Sequence, residues 1–370
     1  MKIRQTVRKI VILLVTFVPG IVFLGIPTFL QDKQDISESY ARNIFPLVSR
    51  PFVFLNSLVP ISLTEITVVF TVASSLIWII WLIIRFIHSD NRKRSLYRFV
   101  FAAGIVFSVL SMSFILLHGI NYTRTPLEKT LSLDSTQRSP EELKEVTVWL
   151  AEMTARTRDG LVEDEDGCMV LDTGVLQALA DGSKALDNAA VTFPVLSGAS
   201  VIGKPVALSH YWSFTGITGM YFPFFCEANV NIDVPQSQLP ITICHEISHT
   251  RGIAREQDAN LAGFLGCITS DRQDFQYCAY QYAYLYCAWD LSFADEAAYA
   301  ETNAMIPDSV RRDWQQNYLY WKQFEGPVQE TSTEINNTYL QANLQEEGVR
   351  SYDRVTGLII DYYFTYVKGS

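Results

Sequence analysis

Three stretches, residues 10–30, 61–87 and 99–117, stay apolar over the ~20 residues that a helix needs to cross a bilayer. Nothing else constrains the fold as tightly. Backbone in lipid must satisfy its own hydrogen bonds, so each stretch is expected to be a helix. Pro19, Gly20 and Pro27 predict kinks in the first, which a membrane helix tolerates. The basic start from Met1 to Lys9 also fits a signal peptide. The long apolar run and the lack of a small-x-small site after it favour an uncleaved anchor.

Charge divides the chain. Residues 1–120 hold 12 Lys and Arg against 5 Asp and Glu, whereas residues 121–370 hold 17 against 34. The expected organisation is a membrane anchor over 1–120 and a soluble domain over 121–370. So acidic a domain argues against nucleic acid as partner, because phosphate needs a basic face. Membrane lipid is the first partner expected. Lys2, Arg4, Arg8 and Lys9 precede the first span, and Arg85, Arg92, Lys93, Arg94 and Arg98 crowd the short second loop. The Lys/Arg rule puts both on the cytoplasmic side, so the domain after His118 is predicted to be extracytoplasmic. Six cysteines lie in the acidic part without a CxxC pair, which indicates neither a Cys-rich zinc site nor a disulfide framework.

The soluble part reads as α+β and mostly helical. Ser139-Pro140-Glu141-Glu142 is a capped helix start, and an amphipathic helix follows to about Arg158. Glu163 to Gly167 reads as a solvated acidic turn, since EF-hand spacing fails. Residues 219–233, GMYFPFFCEANVNID, read as one strand with Glu227, Asn229 and Asn231 on a common face. These three either contact an extended substrate or bond neighbouring loops. Tyr277, Tyr280, Tyr284 and Tyr286 have helical spacing, and most of them are expected in the core.

Chemistry concentrates in His245-Glu246-Ile247-Ser248-His249, on a segment that starts near Pro240 and stops at Gly252. Histidines four apart on a helix face one side and can grip one Zn²⁺, while Glu246 serves as general base. With 5 histidines in 370 residues, this H-E-x-x-H pattern rarely arises by chance. A catalytic zinc needs a third protein ligand. Arg255 stands where a metzincin has its third His, which excludes that class. Glu256-Gln257-Asp258-Ala259-Asn260 resembles the E-x-x-A-D motif of gluzincins, with Glu256 at the ligand position and Asn260 where the acid that partners a ligand His would be. On a continuous helix Glu256 would lie ~10 Å beyond His249. The chain must therefore reverse at Gly252 and start a new helix near Arg255. Asp258 is the alternative ligand, ranked behind Glu256. Cys244 is expected in the core, and His210 in a structural role.

The chain as a whole resembles a family of bacterial membrane proteins known as domain of unknown function 3810, grouped with the zincin peptidases. The matching pieces are Asn121-Tyr122-Thr123-Arg124-Thr125-Pro126, Glu227-Ala228-Asn229-Val230-Asn231, HEISHTRGIAREQDAN from His245, and NNTYLQANLQEEGVRSYDRV from Asn336. The family usually has Glu where this chain has Asp258, which keeps both carboxylates open as third ligand. The resemblance implies a membrane α-helical anchor with a zincin-like (gluzincin-type) domain. The expected activity is zinc-dependent hydrolysis of a peptide or protein at the cell surface. The alternative is a zinc-binding sensor or scaffold without turnover.

Overall fold

In the computed structural model, the structure describes residues 2–88, 92–133, 139–345, 348 and 355–369. The apolar stretches form α1 (Lys2–Leu24), continued after Gly25 by α2 (Ile26–Leu30). After α3 (Gln34–Ser39) and α4 (Phe45–Ser57) come α5 (Leu63–Ile87) and α6 (Arg92–Leu117). Three of the described helices are long and apolar enough to cross a membrane. Pro19 stays within α1, and the helix is interrupted at Gly25 instead.

Small residues bring α1 against α6. A Cβ on Gly104 would lie 2.2 Å from Thr16 Oγ1, and one on Gly20 2.6 Å from Phe107. Ser108 Oγ donates to the Thr16 carbonyl at 2.6 Å and accepts from the Gly20 amide at 3.0 Å. Close backbone approach and hydroxyl bonds are how helices associate where lipid removes the hydrophobic drive.

The rest is a helical array. It runs through α7 (Leu127–Thr130), α8 (Pro140–Arg158), α9 (Val175–Thr192) and α10 (Ser209–Ser213) to the pair α11 (Leu239–Thr250) and α12 (Glu256–Ile268). Beyond them lie α13 (Gln273–Ala294), α14 (Glu296–Ala304), α15 (Asp308–Lys322), α16 (Pro327–Ala342) and α17 (Val355–Tyr362). The predicted start of α8 is present as a capping box: Ser139 accepts from Glu142 N, and Glu142 returns a carboxylate to Ser139 N. Helices α8 and α13 pack along each other, α12 lies against α13 and α9, and α11 bridges α9 and α12. Leu150, Leu186, Ile243, Ile247, Phe264 and Tyr277 fill the core between them. Tyr280 and Tyr284 are buried as well. At the acidic turn, Glu163 pairs with Arg158 and Arg312. Part of the C-terminal sequence motif, residues 346–347 and 349–354, lies outside the described residues.

The expected single strand over 219–233 is two. The chain runs through β2 (Gly219–Phe222) and turns at Pro223–Phe225, with Cys226 in the left-handed region at φ 48°. It returns as β3 (Glu227–Val230), antiparallel to β2 with Met220 opposite Asn229. Proline has no N–H for a ladder, so a run that is β-rich on both sides of Pro223 folds back there. With β1 (Lys204–Pro205) parallel to β3, the order is β1-β3-β2, which leaves β2 at an edge.

The segment between the first two candidate spans is bonded to this sheet. Lys204 Nζ donates to the carbonyls of Asn56 and Val59 at the end of α4. Glu227 accepts from Leu63 N, Thr64 N and Thr64 Oγ1. Glu65 accepts from the amides of Ala207 and Leu208. The apolar helices and the helical array thus share contacts well before residue 121.

Candidate metal centre

Helix α11 carries both motif histidines. The reversal expected after it is present, with Gly252 at φ 80° and Arg255 extended as the N-cap of α12. Glu256 is therefore the first residue of the next helix and is turned back toward α11. His245, His249 and Glu256 each offer one ligand atom within 4.8 Å of the others, and this group could hold a metal ion. His245 Nε2 is 3.1 Å from His249 Nε2 and 3.1 Å from Glu256 Oε2, with His249 Nε2 3.7 Å from the same oxygen. Ligands about 2.0–2.1 Å from one tetrahedral ion stand roughly 3.3 Å apart, so the donor set fits a zinc-sized ion.

The other ring nitrogens are held. His249 Nδ1 donates to the Ile253 carbonyl at 2.6 Å, and His245 Nδ1 lies 2.8 Å from Asn260 Oδ1. A proton on each Nδ1 leaves both Nε2 lone pairs directed at the shared point, the usual arrangement behind a ligand histidine. Asn260, which stands where a gluzincin has the acid that partners a ligand His, lies against the His245 ring. Asp258 turns away, with one oxygen on Arg255 at 2.8 Å and the other accepting from Leu127 N at 3.3 Å. The structure brings Glu256, not Asp258, to the histidines.

Glu246 is buried, and its Oε2 has no hydrogen-bond partner. Burial pushes its carboxyl up to about 6 against the pull of the two histidines. The carboxylate rests on Gly219 of β2, where a Cβ would come within 2.5 Å of Oε1. Only a residue without a side chain permits that approach. Burial opposes charge on His249, but the Glu256 carboxylate outweighs it and lifts the imidazole to about 9. Glu256 is held well below the usual carboxylate range despite its own burial, by His249 and His245.

Two contributors escaped the sequence reading. His118, one residue beyond α6, lies edge-on to His249 with ring centroids 5.8 Å apart. Its Nε2 is 3.0 Å from Tyr122 Oη, its Nδ1 has no partner, and burial presses its pKa down to about 3. Tyr221 of β2 packs against both rings. His118 was read as the end of the anchor. The scarcity of histidine, 5 in the chain, was the one available signal.

Glu227 and Asn229 on β3, and Asn231 just beyond its end, are fully buried, and the structure does not bring them to the histidines. Asn229 accepts from Ser62 Oγ at 2.6 Å and donates to Thr64 Oγ1 and the Met220 carbonyl. Asn231 donates to Ser213 Oγ and the Ile217 carbonyl, and accepts from Asp233 N. These side chains bond neighbouring segments of the scaffold. His210 pairs with Asp233 at 3.0 Å, outside the metal group. Cys244 is buried, 3.6 Å from Cys267 Sγ.

No curated protein and no solved structure matches the chain. A family model described as "Protein of unknown function (DUF3810)" matches residues 40–360, from the end of α3 through the metal group into α17. With most of its length inside that match, the chain belongs to the DUF3810 family.

Proposed function

We propose that this protein is a membrane-anchored zinc metallopeptidase with an extracytoplasmic zincin-like, gluzincin-type domain. One observation carries the reading: two Nε2 atoms and a carboxylate oxygen converge beside a buried carboxylate that has an unpartnered oxygen. A structural metal site has no need of such a group. His245, His249 and Glu256 hold the ion, and Asn260 fixes the His245 ring. A bound Zn²⁺ supplies a Lewis acid and makes an attacking water acidic enough to react at neutral pH. Glu246 is placed to take a proton from an attacking water and to pass it to the leaving amine. The outer edge of β2 suits an extended peptide, since edge strands present unpaired backbone groups. A peptide or protein at the cell surface is the substrate class this supports.

The test uses the full-length chain, purified in detergent without chelators. The expected result is about one zinc per chain by elemental analysis, and cleavage of a peptide library. Glu246→Gln should keep the zinc and lose cleavage by about a thousandfold or more. Less than about half an equivalent of zinc sinks the reading. Full zinc, with no cleavage in either protein, turns the assignment to the non-catalytic sensor or scaffold. A C-terminal alkaline phosphatase fusion should be active, and an inactive one would place the domain in the cytoplasm.

A further inference from the structure

A cavity of about 700 Å³ lies between α4, the 192–199 segment and the end of α11, on residues that the metal group does not use. That volume is within the ~300–1,000 Å³ range of small-ligand sites. Four arginines line it, Arg42, Arg50, Arg124 and Arg251, and among the described residues no acidic one does. Their charges are unequally answered. Arg124 gives Nε and Nη2 to Glu38 and Nη1 to the Gly252 carbonyl. Arg42 gives only its Nε to the same Glu38. Arg251 is buried and pairs with Asp187 through Nη2, but its Nε has no acceptor. Arg50 is exposed and has no acidic partner among the described residues. Among the described residues, four guanidiniums against two carboxylates leave a site with an excess of positive charge and a buried unmet donor.

Most of the remaining wall is apolar, with Phe45, Leu47, Phe193 and Val195, and Ser and Thr hydroxyls are interspersed. Leu47 also opens outward at 68% exposure, on a helix that further exposes Phe54 and Leu55. Helix α4 connects two helices long and apolar enough to cross a membrane, so this apolar outer face is tethered at both ends to candidate spans. A soluble anion would use the arginines and leave the apolar wall unfilled. An amphiphile uses both, with guanidinium forks on phosphate oxygens and the start of an acyl chain along Leu47.

We propose that this cavity binds the phosphate headgroup of an anionic phospholipid, as basic pockets beside membrane helices can. Thr250 and Arg251 line it one and two residues after His249, so the lipid touches the turn that delivers Glu256. The proposal does not depend on the protein being a peptidase.

The experiment uses the full-length protein and fluorescent dioleoyl phosphatidylglycerol, with phosphatidylcholine of the same chains and inorganic phosphate as competitors. The wild type should retain phosphatidylglycerol about tenfold more tightly than phosphatidylcholine, and millimolar phosphate should not displace it. Arg50→Glu, and separately Arg42→Ala combined with Arg50→Ala, should weaken that binding about tenfold with melting temperature and metal content unchanged. Equal retention of the two lipids, or undiminished binding by both variants, overturns the proposal. Displacement by inorganic phosphate also overturns it, and makes the cavity a soluble-anion site.

Discussion

Helix α5 and the pair α11–α12 are packed by opposite rules. In the second candidate span only 6% of residues are buried, and Phe70 and Ile77 are about 70% exposed. In α11 every residue but His245 is buried, and in α12 every residue but Ile268, with Glu246, Glu256, Asp258 and Asn260 among them. The first helix is apolar outside, as a helix long and apolar enough to cross a membrane is when lipid solvates it. The second pair carries charge inside because each charge meets a specific partner. Where a partner is lacking, as at Glu246 Oε2, the cost of burial points to a role other than stability. The two regimes meet at the start of α5, where Leu63 and Thr64 bond to Glu227.

Glu256→Gln tests the interior rule most severely. It should remove the metal altogether, measured by elemental analysis, and retention of metal would show that the converging geometry is not the binding site. Glu227→Ala leaves the donors at Leu63 N, Thr64 N and Thr64 Oγ1 without an acceptor, at about 1–3 kcal/mol each. A loss of roughly 4 kcal/mol by thermal unfolding is expected. An unchanged melting temperature would break the link between the two regimes.

Ile77→Asp addresses the other side. Placed within the span, it should cost about 2.5–3.5 kcal/mol in a membrane-insertion assay while metal content holds. No insertion defect would mean that α5 is not a spanning helix. Gly219→Ala pushes a methyl into the Glu246 carboxylate and should cost about a hundredfold in peptide turnover, with zinc and melting temperature retained. Asp258→Asn is the mildest. It weakens an ion pair beside the site and should lower metal affinity about 10–100-fold without abolishing it. If it alone abolished binding, Asp258 and Glu256 would exchange roles.

Periodicity and end signals are local, and local features were legible. Apolar length marks α1, α5 and α6. The Ser139 box marks α8, and Gly252 with Arg255 marks the reversal that carries Glu256 back to the histidines. Helix geometry is enough for that last step, because four residues bring two side chains to one face and a break is needed to return a third. What no local period encodes is which distant segment arrives. Ser62 reaches Asn229 across 167 residues, and that contact, rather than the pattern of β3, places Glu227 and Asn229 in the scaffold. The fold-back at Pro223 depends on β2 and β3 pairing, and the approach of His118 to His249 depends on how α6 ends against β2. By itself the sequence determined the helices, the reversal and the chemistry available at the motif. The tertiary structure alone decided which groups meet it, because those contacts follow from packing between elements that are far apart in the chain.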